Sequence, residues 1–258
     1  MRLGRFRIVA SILGSFTAIA GISAGLVLSS AAGRATPVPA DSDRTASTVG
    51  ALFLRTPSGQ LTTHFCTGSV VDSPAGDLVI TAAHCLIGRT ASQVAFVPGY
   101  AHGKRPYGEW IATKIIEDPQ WLSSSDPDDD FAFLVVHQAG SNAAVETVTG
   151  GEKLGVGVPA GQRVKVAGYP DALDNPITCH NAARDFSPTQ FEFDCGGFTN
   201  GTSGSPLLAA DPVTNVDTVI GVIGGYQQGG LTASVSYAAK FSTRMAALYQ
   251  SALAATGS

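Results

Sequence analysis

Three short segments carry residue types suited to acyl transfer. The first is Thr81-Ala82-Ala83-His84-Cys85, at the end of a strand-like run. The second is Asp130-Phe131-Ala132-Phe133-Leu134, an acid that opens an apolar strand. The third is Gly201-Thr202-Ser203-Gly204-Ser205-Pro206, a glycine-rich turn leading into another apolar strand. A serine hydroxyl is a poor nucleophile until a neighbouring imidazole takes its proton. The imidazole works best when a carboxylate fixes its tautomer and stabilises the imidazolium. The anionic tetrahedral intermediate needs backbone N–H donors already aimed at it. Glycines around Ser203 let the main chain take the tight conformation that presents them, so the amides of Gly201 and Ser203 are the expected donors.

These segments resemble the chymotrypsin-like (trypsin-like) serine peptidase family, in its secreted bacterial form. The T-A-A-H-C run is specific to it, and the order His84, Asp130, Ser203 matches. Gly201 to Pro206 resembles the family's nucleophile loop, usually G-D-S-G-G-P. Phe65-Cys66-Thr67-Gly68-Ser69-Val70 looks like the strand joined by a disulfide to the cysteine after the catalytic histidine, and Thr48-Val49-Gly50-Ala51 looks like the mature start. The likeness covers roughly residues 47–250, loosely over 139–161. It implies an all-β fold of two perpendicular antiparallel β-barrels with a C-terminal α-helix. It further implies a catalytic triad of His84, Asp130 and Ser203 in the cleft, a Cys66–Cys85 bridge pinning the His84 loop, peptide or protein substrates and no cofactor. Asp130 is preferred to Asp129 because it directly precedes the apolar strand, as in the family.

The pattern also departs from the family. Thr202 stands where an acid usually precedes the nucleophile, so an ion pair from that acid to a new N-terminal amine cannot form. Six positions before Ser203 stands Gly197, not the acid of trypsin-like specificity pockets. Gly224-Gly225-Tyr226 replaces the usual Ser-Trp-Gly, and Tyr226 is positioned to narrow the pocket mouth. Phe198 and Thr199 would form another wall. A small or apolar side chain is the expected preference, with a glutamyl preference as the alternative. A blocked pocket would instead leave a catalytically silent binding module on the same scaffold. An α/β-hydrolase is excluded, because it needs G-x-S-x-G with a histidine downstream, and the last histidine here is His180. No H-E-x-x-H supports a zinc peptidase.

Strand-like runs surround these residues at 50–54, 64–71, 78–82, 93–97, 110–117, 131–136, 162–167, 206–209, 218–223 and 232–237. Turn residues such as Pro57-Ser58-Gly59 separate them. The small-residue stretch 139–161 divides the chain into an N-terminal barrel (about 47–140) and a C-terminal barrel (about 155–238). Phe241, Met245, Leu248 and Ala252 fall at helical spacing, which predicts a helix over about 239–254 packed on the second half.

The first fifty residues read differently. Arg2, Arg5 and Arg7 precede an uncharged run from Ile8 to Gly33, and Ser30-Ala31-Ala32 suits signal cleavage, so residues 1–32 read as a signal peptide and the mature protein as secreted. The run is also long enough for a retained anchor. Residues 33–46 read as a flexible linker or pro-segment. Export permits disulfides. The four cysteines allow three pairings, of which Cys66–Cys85 and Cys179–Cys195 are the most local. His64, Cys66, His84 and Cys85 also form a formal zinc set, although His84 and Cys85 are adjacent and would face opposite ways on a strand. Asp126, Asp128 and Asp129 beside Asp130 could attract calcium, without the spacing of a calcium loop. Among 258 residues only 14% are charged, and removal of residues 1–32 takes the net charge from −4 to −7. No basic stripe exists for nucleic acid, and a monomer without stable membrane contact is expected once the signal is gone.

Overall fold

A computed structural model describes residues 35–39, 47–211, 213–214 and 216–256. The leader expected over 1–32 lies outside the described residues, as does the 33–46 stretch except for 35–39. In chain order the strands are β1 (Val38–Pro39), β2 (Val49–Arg55), β3 (Leu61–Val71), β4 (Leu78–Thr81), β5 (Val94–Pro98), β6 (Trp110–Glu117) and β7 (Ala132–His137). Then follow β8 (Lys153–Leu154), β9 (Arg163–Gly168), β10 (Ile177–Asp185), β11 (Gln190–Asp194), β12 (Pro206–Ala209), β13 (Thr218–Val222) and β14 (Val235–Ala239). The α-helices are α1 (Pro119–Ser124), α2 (Val145–Thr149) and α3 (Thr243–Thr256).

Strands β2-β3-β4-β7-β6-β5 close into a barrel, β5 pairing back onto β2 with Ala51 opposite Val97. The second half is a sheet in the order β14-β11-β10-β9-β12-β13-β8, with β1 on the flank of β10. Its far sides meet at the bridged pair Ile223 and Ala238, so it curls into a partly closed barrel. The architecture is therefore mostly β, with two barrel-like halves and a C-terminal helix. One pairing departs from the antiparallel expectation: β8 runs parallel to β13.

The apolar run of β7 shows how the sequence builds this arrangement. Successive side chains on a strand face opposite ways. Ala132, Leu134 and Val136 pack inside the first barrel with Val79, Phe96 and Trp110. Phe131, Phe133 and Val135 join a second cluster with Tyr169, Leu208 and Val222 of the second half and with Phe241, Met245, Leu248 and Ala252. Burying a side chain of this size contributes about 1.5–3 kcal/mol. The strand that Asp130 closely precedes is thus gripped on both faces.

Helix α3 packs on β6 and β7 of the first barrel, not on the second half alone as its position in the chain suggested. The outward face of β7 supplies an apolar surface for it, with Tyr249 against Phe133 at 5.8 Å. Polar ties reinforce the docking. Tyr249 donates to the Asp72 carbonyl at 2.7 Å, and Lys114 Nζ donates to the Ala255 carbonyl at 2.6 Å near the helix end. Strands β10 and β11 are not among the sequence-predicted runs. Strand β10 (Ile-Thr-Cys-His-Asn-Ala-Ala-Arg-Asp) has little apolar bulk, whereas β11 does alternate, with Phe191 and Phe193 buried. The 232–237 run is found three residues later, as β14, because Thr232 to Ser234 turn back toward Val235.

Candidate active site

Residues from both halves meet in one cleft. His84 lies in a short 3₁₀ turn, Ala83–Leu86, directly after β4. The turn is tied to β3 by the Cys66–Cys85 disulfide, and Cys179–Cys195 joins β10 to the residue after β11. With those sulfurs bonded to each other, the formal zinc set loses its thiolates, and His64 Nε2 lies 3.0 Å from the Leu173 carbonyl.

Asp130 is buried and its carboxylate is saturated with donors. His84 Nδ1 lies 2.7 Å from Oδ2, the His84 backbone N–H donates to Oδ1 at 2.8 Å, and the Gly225 N–H donates to Oδ2 at 2.9 Å. A buried carboxylate stays charged only with such partners. With the proton of Nδ1 directed at the carboxylate, Nε2 is left as the acceptor. Asp129, the neighbouring candidate, points elsewhere: Arg244 Nε donates to it at 2.8 Å and another nitrogen of the same guanidinium bonds Asp118. Burial pushes the Asp129 carboxyl up, with Arg244 opposing. Asp126 accepts from the Asp128 N–H, and Asp128 accepts from Gln190. The acidic loop is thus tied up by Arg244, Gln190 and its own backbone.

Ser203 sits on a loop whose backbone groups are almost all engaged. Asp171 N–H donates to the Asn200 carbonyl at 2.7 Å, which turns the Gly201 N–H of the same trans peptide the opposite way. Thr202 N–H bonds the Thr199 carbonyl at 3.1 Å, and Gly204 N–H bonds Ile223 at 2.7 Å. The N–H groups of Gly201 and Ser203 have no acceptor among the described residues. Glycine is required at 201: with φ at +91°, a Cβ would lie 2.5 Å from Tyr169 O and Asp171 N.

Thr67 of β3 connects this loop to the first barrel. Its N–H donates to the Ser203 carbonyl at 2.8 Å. Its hydroxyl donates to the Gly201 carbonyl at 3.0 Å and accepts from the Tyr169 N–H at 2.9 Å. Its own carbonyl accepts from the Thr81 hydroxyl at 2.8 Å, three residues before His84. Thr202, in place of the usual acid, is buried and donates to the Thr199 carbonyl at 2.7 Å. Neutral bonds therefore hold the turn.

Ser203 lines two cavities. The larger, about 380 Å³, is walled by Phe198, Thr199, Asn200, Ile223 and the segment Gln228–Ala233. The second, about 330 Å³, adds His84, the Cys66–Cys85 bridge, Phe65 and Arg89. Of the residues expected to shape the pocket, Phe198 and Thr199 line it. Gly197, Gly224, Gly225 and Tyr226 line neither cavity. A Cβ at Gly197 would face Pro37 and Ile177, while Gly225 serves Asp130. The ring of Tyr226 packs on Phe186 and Tyr237 at 4.9 and 5.1 Å. The Gln228–Ala233 rim carries no local sign of a site: Thr232 and Ala233 fall inside the 232–237 strand-like run, and Gln228 to Leu231 lie between runs without a motif. Thr67 was missed because a threonine inside a strand gives no local sign of a bond 134 residues away.

A family model described as a trypsin-like peptidase domain matches residues 66–222, more than half of the chain. Solved structures share the fold. The protease Anisep from Arthrobacter nicotinovorans matches at 24% identity and a TM-score of 0.67, over 82% of this chain and 98% of that one. The thermostable serine protease AL20 from an extremophilic microorganism gives 24% identity and a TM-score of 0.67, over 82% and 99%. A Glu endopeptidase gives 15% identity and a TM-score of 0.64, over 84% and 96%. A search of curated proteins finds no match. By its matched domain and by its fold, the chain belongs to the trypsin-like peptidase family, a family of serine endopeptidases.

Proposed function

We propose that the protein is an exported serine endopeptidase in which Ser203, His84 and Asp130 act as a triad. The observation that carries this reading is the pair of hydrogen bonds joining His84 to buried Asp130, with His84 and Ser203 lining one cleft. His84 Nε2 takes the Ser203 proton as Oγ bonds the scissile carbonyl carbon. The carbonyl electron pair moves onto oxygen, where the free N–H groups of Gly201 and Ser203 receive it. The intermediate collapses, the C–N bond breaks, and the amine leaves with the proton from His84. Water then gives a proton to His84 and attacks the acyl carbon, and Ser203 departs by taking that proton back. Asp130 keeps the His84 ring oriented through both proton transfers.

The packing of Tyr226 away from both cavities argues against a blocked, silent module. The larger cavity places the apolar side chains of Phe198, Ile223 and Leu231 among the polar residues Asp171, Thr199, Asn200, Gln228 and Thr232, and in this reading the three apolar walls receive a small or apolar side chain. In this reading residues 1–32 are removed on export, 33–46 form a linker or pro-segment, and 47–258 work as a secreted monomer without a cofactor. Two disulfides fit an oxidising compartment. No helix among the described residues is long and apolar enough to cross a membrane.

Labelling with a fluorophosphonate, read by intact mass, tests this function. One adduct is expected, lost in both Ser203→Ala and His84→Ala. An adduct that survives Ser203→Ala would refute the assignment.

A further inference from the structure

The second cavity holds a cation that the proposed chemistry leaves unused. Arg89 follows the His84 turn, and its N–H donates to the Leu86 carbonyl at 3.0 Å. Its guanidinium lies 4.1 Å over the Phe65 ring and donates to the Cys85 carbonyl. Ring and carbonyl thus hold the charge in place, half-buried and lining the same cleft as His84 and Ser203. Burial pulls the guanidinium below its usual range, a sign of desolvation that no anion offsets. Arg105, Arg184, Arg244, Lys153 and Lys240 each pair with a carboxylate. Arg89 pairs with none among the described residues. The one carboxylate lining either cavity, Asp171, belongs to the larger one.

The position of this cation relative to the reaction follows from proton transfer. His84 must protonate the leaving amine, so the leaving chain passes on the His84 side of Ser203. The larger cavity lacks His84 and takes the acyl side. We infer that Arg89 forms a subsite for a carboxylate on the leaving-group side, favouring substrates with Asp or Glu within the first two residues after the scissile bond. The fork geometry of arginine suits a carboxylate, and the ring beneath it keeps one face dry. This inference rests on the peptidase reading above.

The test is a peptide library cleaved by wild type, Arg89→Gln and Arg89→Lys, with cleavage sites identified by mass spectrometry. Each protein is also labelled with the fluorophosphonate to count formed sites. In wild type, acids should be enriched about three- to tenfold at the first or second position after the cut. Arg89→Gln should lose that enrichment and Arg89→Lys should keep part of it. Raising salt to about 0.5 M should shrink the wild-type enrichment, a readout that needs no variant. Cleavage with no acid enrichment in wild type, or enrichment unchanged by Arg89→Gln or by salt, would overturn the subsite and leave the peptidase standing. Absence of both labelling and cleavage in wild type would overturn the peptidase reading and the subsite together.

Discussion

The loop at 199–206, through Thr199, Asn200, Thr202 and Ser203, and the segment 226–234, through Gln228 to Ala233, both border the larger cavity, and they are built differently. In the first, the carbonyls of Asn200, Gly201 and Ser203 and the N–H groups of Thr202, Gly204 and Ser205 all have partners, and Gly201, Thr202, Gly204 and Ser205 are buried. In the second, Tyr226 to Gln228 and Leu231 to Ala233 are exposed. Gln227 and Gln228 sit at φ of +52° and +55°, a region that side-chain-bearing residues rarely occupy. Donors for a developing charge must be aligned before the charge appears, because reorganisation during the reaction would raise the barrier. A rim that recognises a side chain needs only shape, so exposure and local strain are tolerable there.

Damage to the first region should therefore cost turnover and damage to the second should cost selectivity. Asp130→Asn should lower kcat by about 10⁴-fold while the fold persists, because the imidazole loses its oriented tautomer. Steady-state hydrolysis of one peptide checks it. Thr67→Val removes the hydroxyl between Gly201 and Tyr169 and should lower kcat by roughly 10- to 100-fold, with KM moving less than about twofold. Thr67→Ser should restore most of the rate, which a purely structural role for the methyl group would not allow. The paired change Cys66→Ala with Cys85→Ala should destabilise the protein by about 2–5 kcal/mol, measured by denaturant unfolding, since it frees the His84 turn. Gln228→Gly relieves the left-handed backbone and should shift KM about two- to fivefold, differently for different peptides. A large loss of kcat from Gln228→Gly alone would break the contrast.

The candidate site was legible in the sequence where its residues lie in contiguous runs. The T-A-A-H-C run, Asp130 before its apolar strand and the glycine loop around Ser203 each announce themselves locally. Gly201 was legible for the same reason: only glycine permits its backbone there. Family likeness implies the Cys66–Cys85 bridge, whereas Cys179–Cys195 stands out among the three possible pairings only as one of the most local. What stayed hidden depends on distant partners. Thr67 and Arg89 look like ordinary polar residues until β3 meets the Ser203 loop and the Arg89 guanidinium settles over Phe65. Strand β10 was hidden because its neighbours β9 and β11 supply the bulk that it lacks. The seat of α3 depends on the outward face of β7, a surface that periodicity within the helix cannot reveal.

The most direct measurement of the central claim is a crystal structure of the fluorophosphonate adduct. Phosphorus should be bonded to Ser203 Oγ, with its oxygen accepting from the N–H groups of both Gly201 and Ser203 at about 2.7–3.1 Å. An adduct on another residue, or a phosphoryl oxygen turned away from those two donors, would contradict it.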